Sequence, residues 1–223
     1  MFDLSANCKR HYIPPSSNTW AGRSDGENAL HFHEAVQLFD LNKEWPKAHA
    51  FALIGFQSDV GILRNQGRKG AKDGPSAFRQ ALGALPAPAD LSLFDVGDIA
   101  VQGDDLESAQ QALAEVISHL LKLQIQPLLI GGGHEMAFGH YQGVMQAFPQ
   151  LDLGIVNFDA YFDMRSPLLE EGACKGTSGS SFLQIAKERQ REDLEFDYTC
   201  IGIQTHSNTK ALFDQARSQS VIT

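Results

Sequence analysis

The stretch 126-QPLLIGGGHEMAFGHYQGVMQAFPQLDLGIVNFDAYFDMR-165 decides how this chain is read. Its opening run, 126-QPLLI-130, is apolar and of strand length. Glycines follow, which let the backbone turn tightly and deliver His134 just before the next element. The segment 135-EMAFGHYQGVMQAF-148 has the length of a helix, and 153-LGIVNF-158 reads as a second buried strand. Strand, helix and strand in this order make consecutive βα units. Two aspartates, Asp159 and Asp163, flank Tyr161 right after the second strand.

The same rhythm extends in both directions. Upstream, 51-FALIGF-56 is a strand, and 57-QSDVGILRNQGRKGAKDG-74 is a glycine-rich loop. The segment 75-PSAFRQALGAL-85 is a helix with proline in its first turn. Next come the strand 91-LSLFDVGDI-99 and the amphipathic helix 104-DDLESAQQALAEVISHLLKLQ-124, acidic where the helix dipole favours it. Downstream are the helix 181-SFLQIAKERQRED-193, the strand 198-YTCIGI-203 and the helix 208-NTKALFDQARSQ-219. Short apolar strands alternating with longer helices predict an α/β fold with a mainly parallel sheet. Residues 1–47 are polar, with one helical segment in 29-ALHFHEAVQLF-39, and are expected to form an arm on a main domain of residues 48–223. The closing 220-SVIT-223 reads as the opening of another strand, so a domain incomplete at its carboxyl end is expected.

Composition narrows the function. A chain of 223 residues holds one substantial core. Asp and Glu number 27 against 18 Lys and Arg, a net charge of -9, which argues against a nucleic-acid partner. No apolar run reaches the roughly 20 residues of a membrane helix. The start, 1-MFDLSANCKRHYIPPSSN-18, lacks the apolar centre of a secretory signal. Cys8, Cys174 and Cys200 form no CxxC pair, so they are expected to be small core residues of a chain in the reducing cytoplasm. GGGHE is neither GxGxxG nor GxxxxGK[ST], which argues against a nucleotide site.

Open parallel sheets bind ligands beyond the carboxyl ends of their strands. In an extended chain Asp159, Tyr161 and Asp163 point the same way. One imidazole and two carboxylates converging there make a nitrogen and oxygen donor set suited to Mn²⁺. Two neighbouring carboxylates repel unless a cation lies between them. Taken singly, a histidine after glycines is an ordinary turn residue, and paired aspartates cap turns; together they point to a metal.

The pairing of GGGHE with NFDAYFDMR resembles the ureohydrolase family of arginases, agmatinases and formimidoylglutamases, which carries GG-x-H and DAHxD motifs. With the loop 64-RNQGRKGAKDGP-75, the chain looks most like the formimidoylglutamase branch. The resemblance runs from about residue 50 onward. It implies a three-layer α-β-α sandwich, a binuclear Mn²⁺ centre and hydrolysis of a C–N amidine bond. The substrate implied is the small molecule N-formimidoyl-L-glutamate, in histidine degradation. By matched position, it implies His134, Asp159 and Asp163 as metal ligands, with His134 and Asp163 catalytic and Asp163 also orienting the nucleophilic water. It implies substrate contacts from Arg165, Ser178 and Ser180, and the two carboxylates of that substrate add Arg64 and Arg68 as cationic candidates. Symmetric homo-oligomers are a further implication.

Two departures stand out. Tyr161 occupies the place of the family's ligand histidine, and a phenol ligates well only when the metal strips its proton. The family's SxDxDxxDP motif, source of two more aspartate ligands, does not occur in these 223 residues. One metal or none is therefore expected here, and a catalytically inactive remnant is the competing expectation, with agmatinase-like or arginase-like specificity beside it. Glu135 reads either as a neighbour of the metal or as a first-turn helix residue. His206 follows the strand 198-YTCIGI-203 at the sheet's carboxyl edge, where a bland reading is favoured over one in which it faces the substrate, and His140 reads as a surface or packing residue.

Overall fold

A computed structural model describes residues 3–26, 30–45, 49–170 and 172–223. In the amino-terminal segment lie α1 (Ala6–His11), β1 (Tyr12–Ile13), α2 (Phe32–Ala35) and β2 (Gln37–Leu38). Ser5 caps α1 by accepting the Cys8 N–H through its hydroxyl. The helix read over 29–39 shrinks to the four residues of α2, because Gln37 and Leu38 extend to pair with Phe94 and Asp95. Residue 29 and the boundary placed between 47 and 48 lie outside the described residues.

From residue 51 strands and helices alternate. They are β3 (Phe51–Gln57), α3 (Val60–Arg64), α4 (Gly74–Gly83), β4 (Leu93–Ala100), α5 (Leu106–Lys122), β5 (Gln126–Gly131), α6 (Met136–Ala147) and β6 (Gly154–Phe158). Then follow the hairpin strands β7 (Leu168–Glu170) and β8 (Ala173–Lys175), α7 (Ser181–Arg191), β9 (Asp197–Ile201) and α8 (Lys210–Ser218). The order β1-β4-β3-β5 forms one sheet, with β2 also on β4; all its pairings are parallel except β1 with β4. A second parallel pair joins β6 to β9. Beyond β9, Ile222 accepts the Cys200 N–H at 2.8 Å and donates to Tyr198 O at 3.0 Å, a parallel bridge where 220–223 reads as a strand.

The packing follows from the pattern. Every residue of β4 is buried, as a strand covered on both faces must be. The buried stripe of α5, including Leu113, Val116, Ile117 and Leu120, packs on this sheet and on α6. A separate apolar cluster, built on Phe162, Met164, Phe182, Tyr198 and Cys200, lies under β6, α7 and β9. Beneath β4, the Arg79 guanidinium reaches Asp95 at 2.8 Å and Asp98 at 2.7 Å, and Trp20 donates its indole N–H to Asp95 at 2.7 Å. Among the described residues no helix is long and apolar enough to cross a membrane.

Candidate metal centre

The turn after β5 is shaped by its glycines. Gly132 has φ +38, and a Cβ there would collide with Phe56 O. His134, half-buried, stands edge-on to Phe182 with ring centroids 5.5 Å apart, and Ser181 donates its hydroxyl to His134 O at 3.2 Å.

The second arm of the site begins where β6 stops. Asp159 accepts the Tyr161 N–H on Oδ1 at 3.0 Å, a local turn that ends the extended chain. The expectation that Asp159, Tyr161 and Asp163 share one direction by strand alternation is therefore corrected. The turn places the carboxylates instead. Asp163 has φ +48, in the left-handed region. Buried Phe162 and Met164 anchor it on either side. Asn208 clamps the loop, accepting from Phe162 N at 3.2 Å and donating to Ala160 O at 2.8 Å. Tyr198 donates its hydroxyl to Phe162 O at 3.2 Å. Tyr161 is 48% exposed, and its hydroxyl makes no hydrogen bond to a described residue.

The two arms meet at His134 Nδ1, 2.7 Å from Asp163 Oδ2 and 3.4 Å from Asp159 Oδ2. One ligand atom from each residue lies within 4.8 Å of the others, so one divalent ion can be held by all three. Burial works against a charge on His134. The hydrogen bond and charge of Asp163, with Asp159 behind it, outweigh that and hold the imidazole pKa above its ordinary value. Burial also raises the carboxyl of Glu135.

Residues 49–223 match the arginase family model. The chain belongs to the arginase family. It is 43% identical over 201 residues to the formimidoylglutamase of Chromobacterium violaceum, covering 89% of this chain and 62% of that protein. It is 43% identical over 212 residues to the formimidoylglutamase of Geobacillus thermodenitrificans, covering 92% and 63%. The crystal structure of Trypanosoma cruzi formiminoglutamase with Mn²⁺ superposes with a TM-score of 0.67 at 30% identity, over 77% of this chain and 59% of that one. This arginase-family chain thus spans about three-fifths of the length of the relatives it matches.

The substrate-side candidates of this arginase-family chain fall into two groups. Arg165 is exposed, forms no ion pair with a described residue, and lines a cavity of 620 Å³ with Arg64, Asn65 and Thr177. Arg68 is exposed on its loop. Ser178 is half-buried and donates its N–H to Gly61 O at 3.0 Å. Arg64 is held instead by its own fold: it pairs with Glu107 at 2.7 Å and Asp104 at 3.1 Å, with its side chain 8% exposed. Ser180 is buried, bonded to Thr177 and Gln184 within its loop. His206 is exposed on a short turn, and His140 lines an apolar groove with His134, Tyr141 and Ile155. Sequence reading missed Asn208 and the Asp104 and Glu107 partners of Arg64, because no spacing rule links residues 40 or more apart. Of the cysteines expected in the core, Cys8 and Cys200 are buried, but Cys174 is exposed, since the β7–β8 hairpin leaves it facing solvent.

Proposed function

We propose that the site hydrolyses the amidine C–N bond of N-formimidoyl-L-glutamate, giving L-glutamate and formamide, with Mn²⁺ held by His134, Asp159 and Asp163. The observation that carries this is the convergence of those three side chains on one ligand-sized volume. A divalent cation bound there supplies Lewis-acid activation of water. Asp163 Oδ2, already a hydrogen-bond acceptor at 2.7 Å, accepts a proton from the attacking water and orients it toward the amidine carbon. The water oxygen bonds to that carbon, Asp163 passes the proton it took to the glutamate nitrogen, and the bond from carbon to that nitrogen breaks, so the nitrogen leaves as an amine and the carbon as formamide. Arg165 recognises a substrate carboxylate as an uncommitted guanidinium, and Arg68 adds positive charge. Ser178 lines the approach, while Ser180 keeps the loop in shape. Arg64 orders the same wall through its ion pairs.

The names borne by the relatives support this reading, and histidine breakdown is the setting it implies. The test is release of L-glutamate and formamide from N-formimidoyl-L-glutamate by Mn²⁺-loaded protein. Release abolished by Asp163→Ala is the expected result. A second reading, a metal-binding but non-catalytic chain, is favoured by the three-ligand count among the described residues. It predicts bound Mn²⁺ with no turnover.

A further inference from the structure

We propose that Glu135 is a positioning residue. Its buried carboxylate locks the His134 turn to residues 58–61 and, through Gly61, to Ser178, so the metal cluster and the substrate-side loop are held together. The glutamate side chain is fully buried and forms no ion pair with a described residue. Oε1 accepts from Ser58 Oγ at 2.6 Å and from Gly61 N at 3.0 Å. Gly61 O in turn accepts the Ser178 N–H at 3.0 Å. Arg165 N–H then donates to Gly179 O at 2.8 Å, which returns the path to the chain beside Asp163. The Asp163 carboxylate closes the ring on His134 at 2.7 Å. Every link is a hydrogen bond or a stretch of continuous backbone.

A first-turn role does not account for this arrangement. The Glu135 side chain makes no capping bond to its own helix, and its acceptor serves a segment some 74 residues away. A buried carboxyl is costly unless its bonds compensate. Oε2 has no partner among the described residues. The sequence also keeps two glycines for this side chain: a Cβ at Gly133 or at Gly61 would collide with the Glu135 carboxylate. Two further bonds hold the turn that carries Glu135. Gln110 Nε2 donates to Glu135 O at 2.7 Å, and Gly133 N–H donates to Ser58 O at 3.1 Å. The interlocked set of Gly61, Gly133, Glu135 and Ser58 explains why GGGHE ends in glutamate.

The inference rests on the proposed function only for what the held loops do; the latch itself is read without substrate. Hydrogen–deuterium exchange would be followed in peptides 58–64 and 176–181 of the 223-residue chain, with and without Mn²⁺. Glu135→Ala is expected to speed exchange at both peptides by about tenfold while the β3, β4 and α5 amides keep their protection. Glu135→Gln, which keeps an acceptor oxygen, is expected to restore both to within about twofold. In the original chain and in Glu135→Gln, Mn²⁺ slows exchange at both peptides; in Glu135→Ala it slows neither. A change at 58–64 alone, or a Gln variant as damaged as the Ala variant, overturns the proposal. Should Glu135→Ala not fold, Glu135→Asp, whose shorter arm withdraws the carboxylate from Gly61 N, decides: faster exchange at both peptides supports the latch, and an unchanged 176–181 overturns it. Bound Mn²⁺ is read separately by electron paramagnetic resonance. Absence of binding defeats the metal reading and leaves the metal-free exchange to judge the latch.

Discussion

His134 carries two competing demands, because the imidazole that bonds Asp163 through Nδ1 at 2.7 Å also belongs to the group that could hold a metal ion. A proton on that ring must leave before a metal enters. The pKa of the ring is raised by its carboxylate partners against the effect of burial. Mn²⁺ affinity is therefore expected to climb about tenfold per pH unit up to that raised value and then level off. Isothermal titration between pH 6 and 9 checks this, and a flat profile would remove His134 from the ligand set. Without metal the sign reverses. The charged His134 stabilises the fold below the ordinary histidine pKa, and that contribution is lost as pH rises through the raised one. Tyr161 is a separate case. Half-exposed and without a hydrogen bond from its hydroxyl to a described residue, it should tolerate Tyr161→Phe with Mn²⁺ affinity unchanged within about twofold. A large loss would make the phenol a ligand.

At the scale of elements, β3, β4, α5 and α7 were legible because their apolar periods agree with the residues they bury, whereas β6, read as a buried strand, leaves Val156 60% and Phe158 79% exposed. The short α3 was not legible, since its few apolar residues sit inside a glycine-rich loop and form no stripe. Nor was the β7–β8 hairpin, whose strands are three residues each and mostly exposed. The ion cluster under β4 was also invisible, because Arg79 and its aspartates are joined by folding and not by spacing. Asp95 is fully buried and serves both Arg79 and Trp20. Removing Asp95 leaves the buried Arg79 with Asp98 as its one carboxylate partner among the described residues and takes the acceptor from Trp20, so Asp95→Ala should lower stability by roughly 3 kcal/mol in urea unfolding. A loss under about 1 kcal/mol would show that water reaches the cluster.

Across the whole molecule, the three side chains that converge, His134, Asp159 and Asp163, were readable from two short motifs, whereas their supports were not. Asn208, Tyr198 and Ser58 reach the site from distant segments, and only the folded chain shows them there. Thiol reactivity reports on the same assembly. Burial, with the Glu115 carboxylate behind it, pushes the Cys8 thiol up to about 12, and burial also raises Cys200. Cys174 alone among the three is exposed. A disulfide reagent at pH 8 should therefore titrate one thiol quickly and the other two only on unfolding; two fast thiols would mean that one of the cores opens.

The most direct test of the metal centre is the Mn²⁺ stoichiometry of the purified chain beside that of Asp163→Ala. Close to one ion per chain, lost in the variant, is the result expected from His134, Asp159 and Asp163 acting as one site. No bound ion in the original chain, or the same occupancy in both proteins, would contradict it.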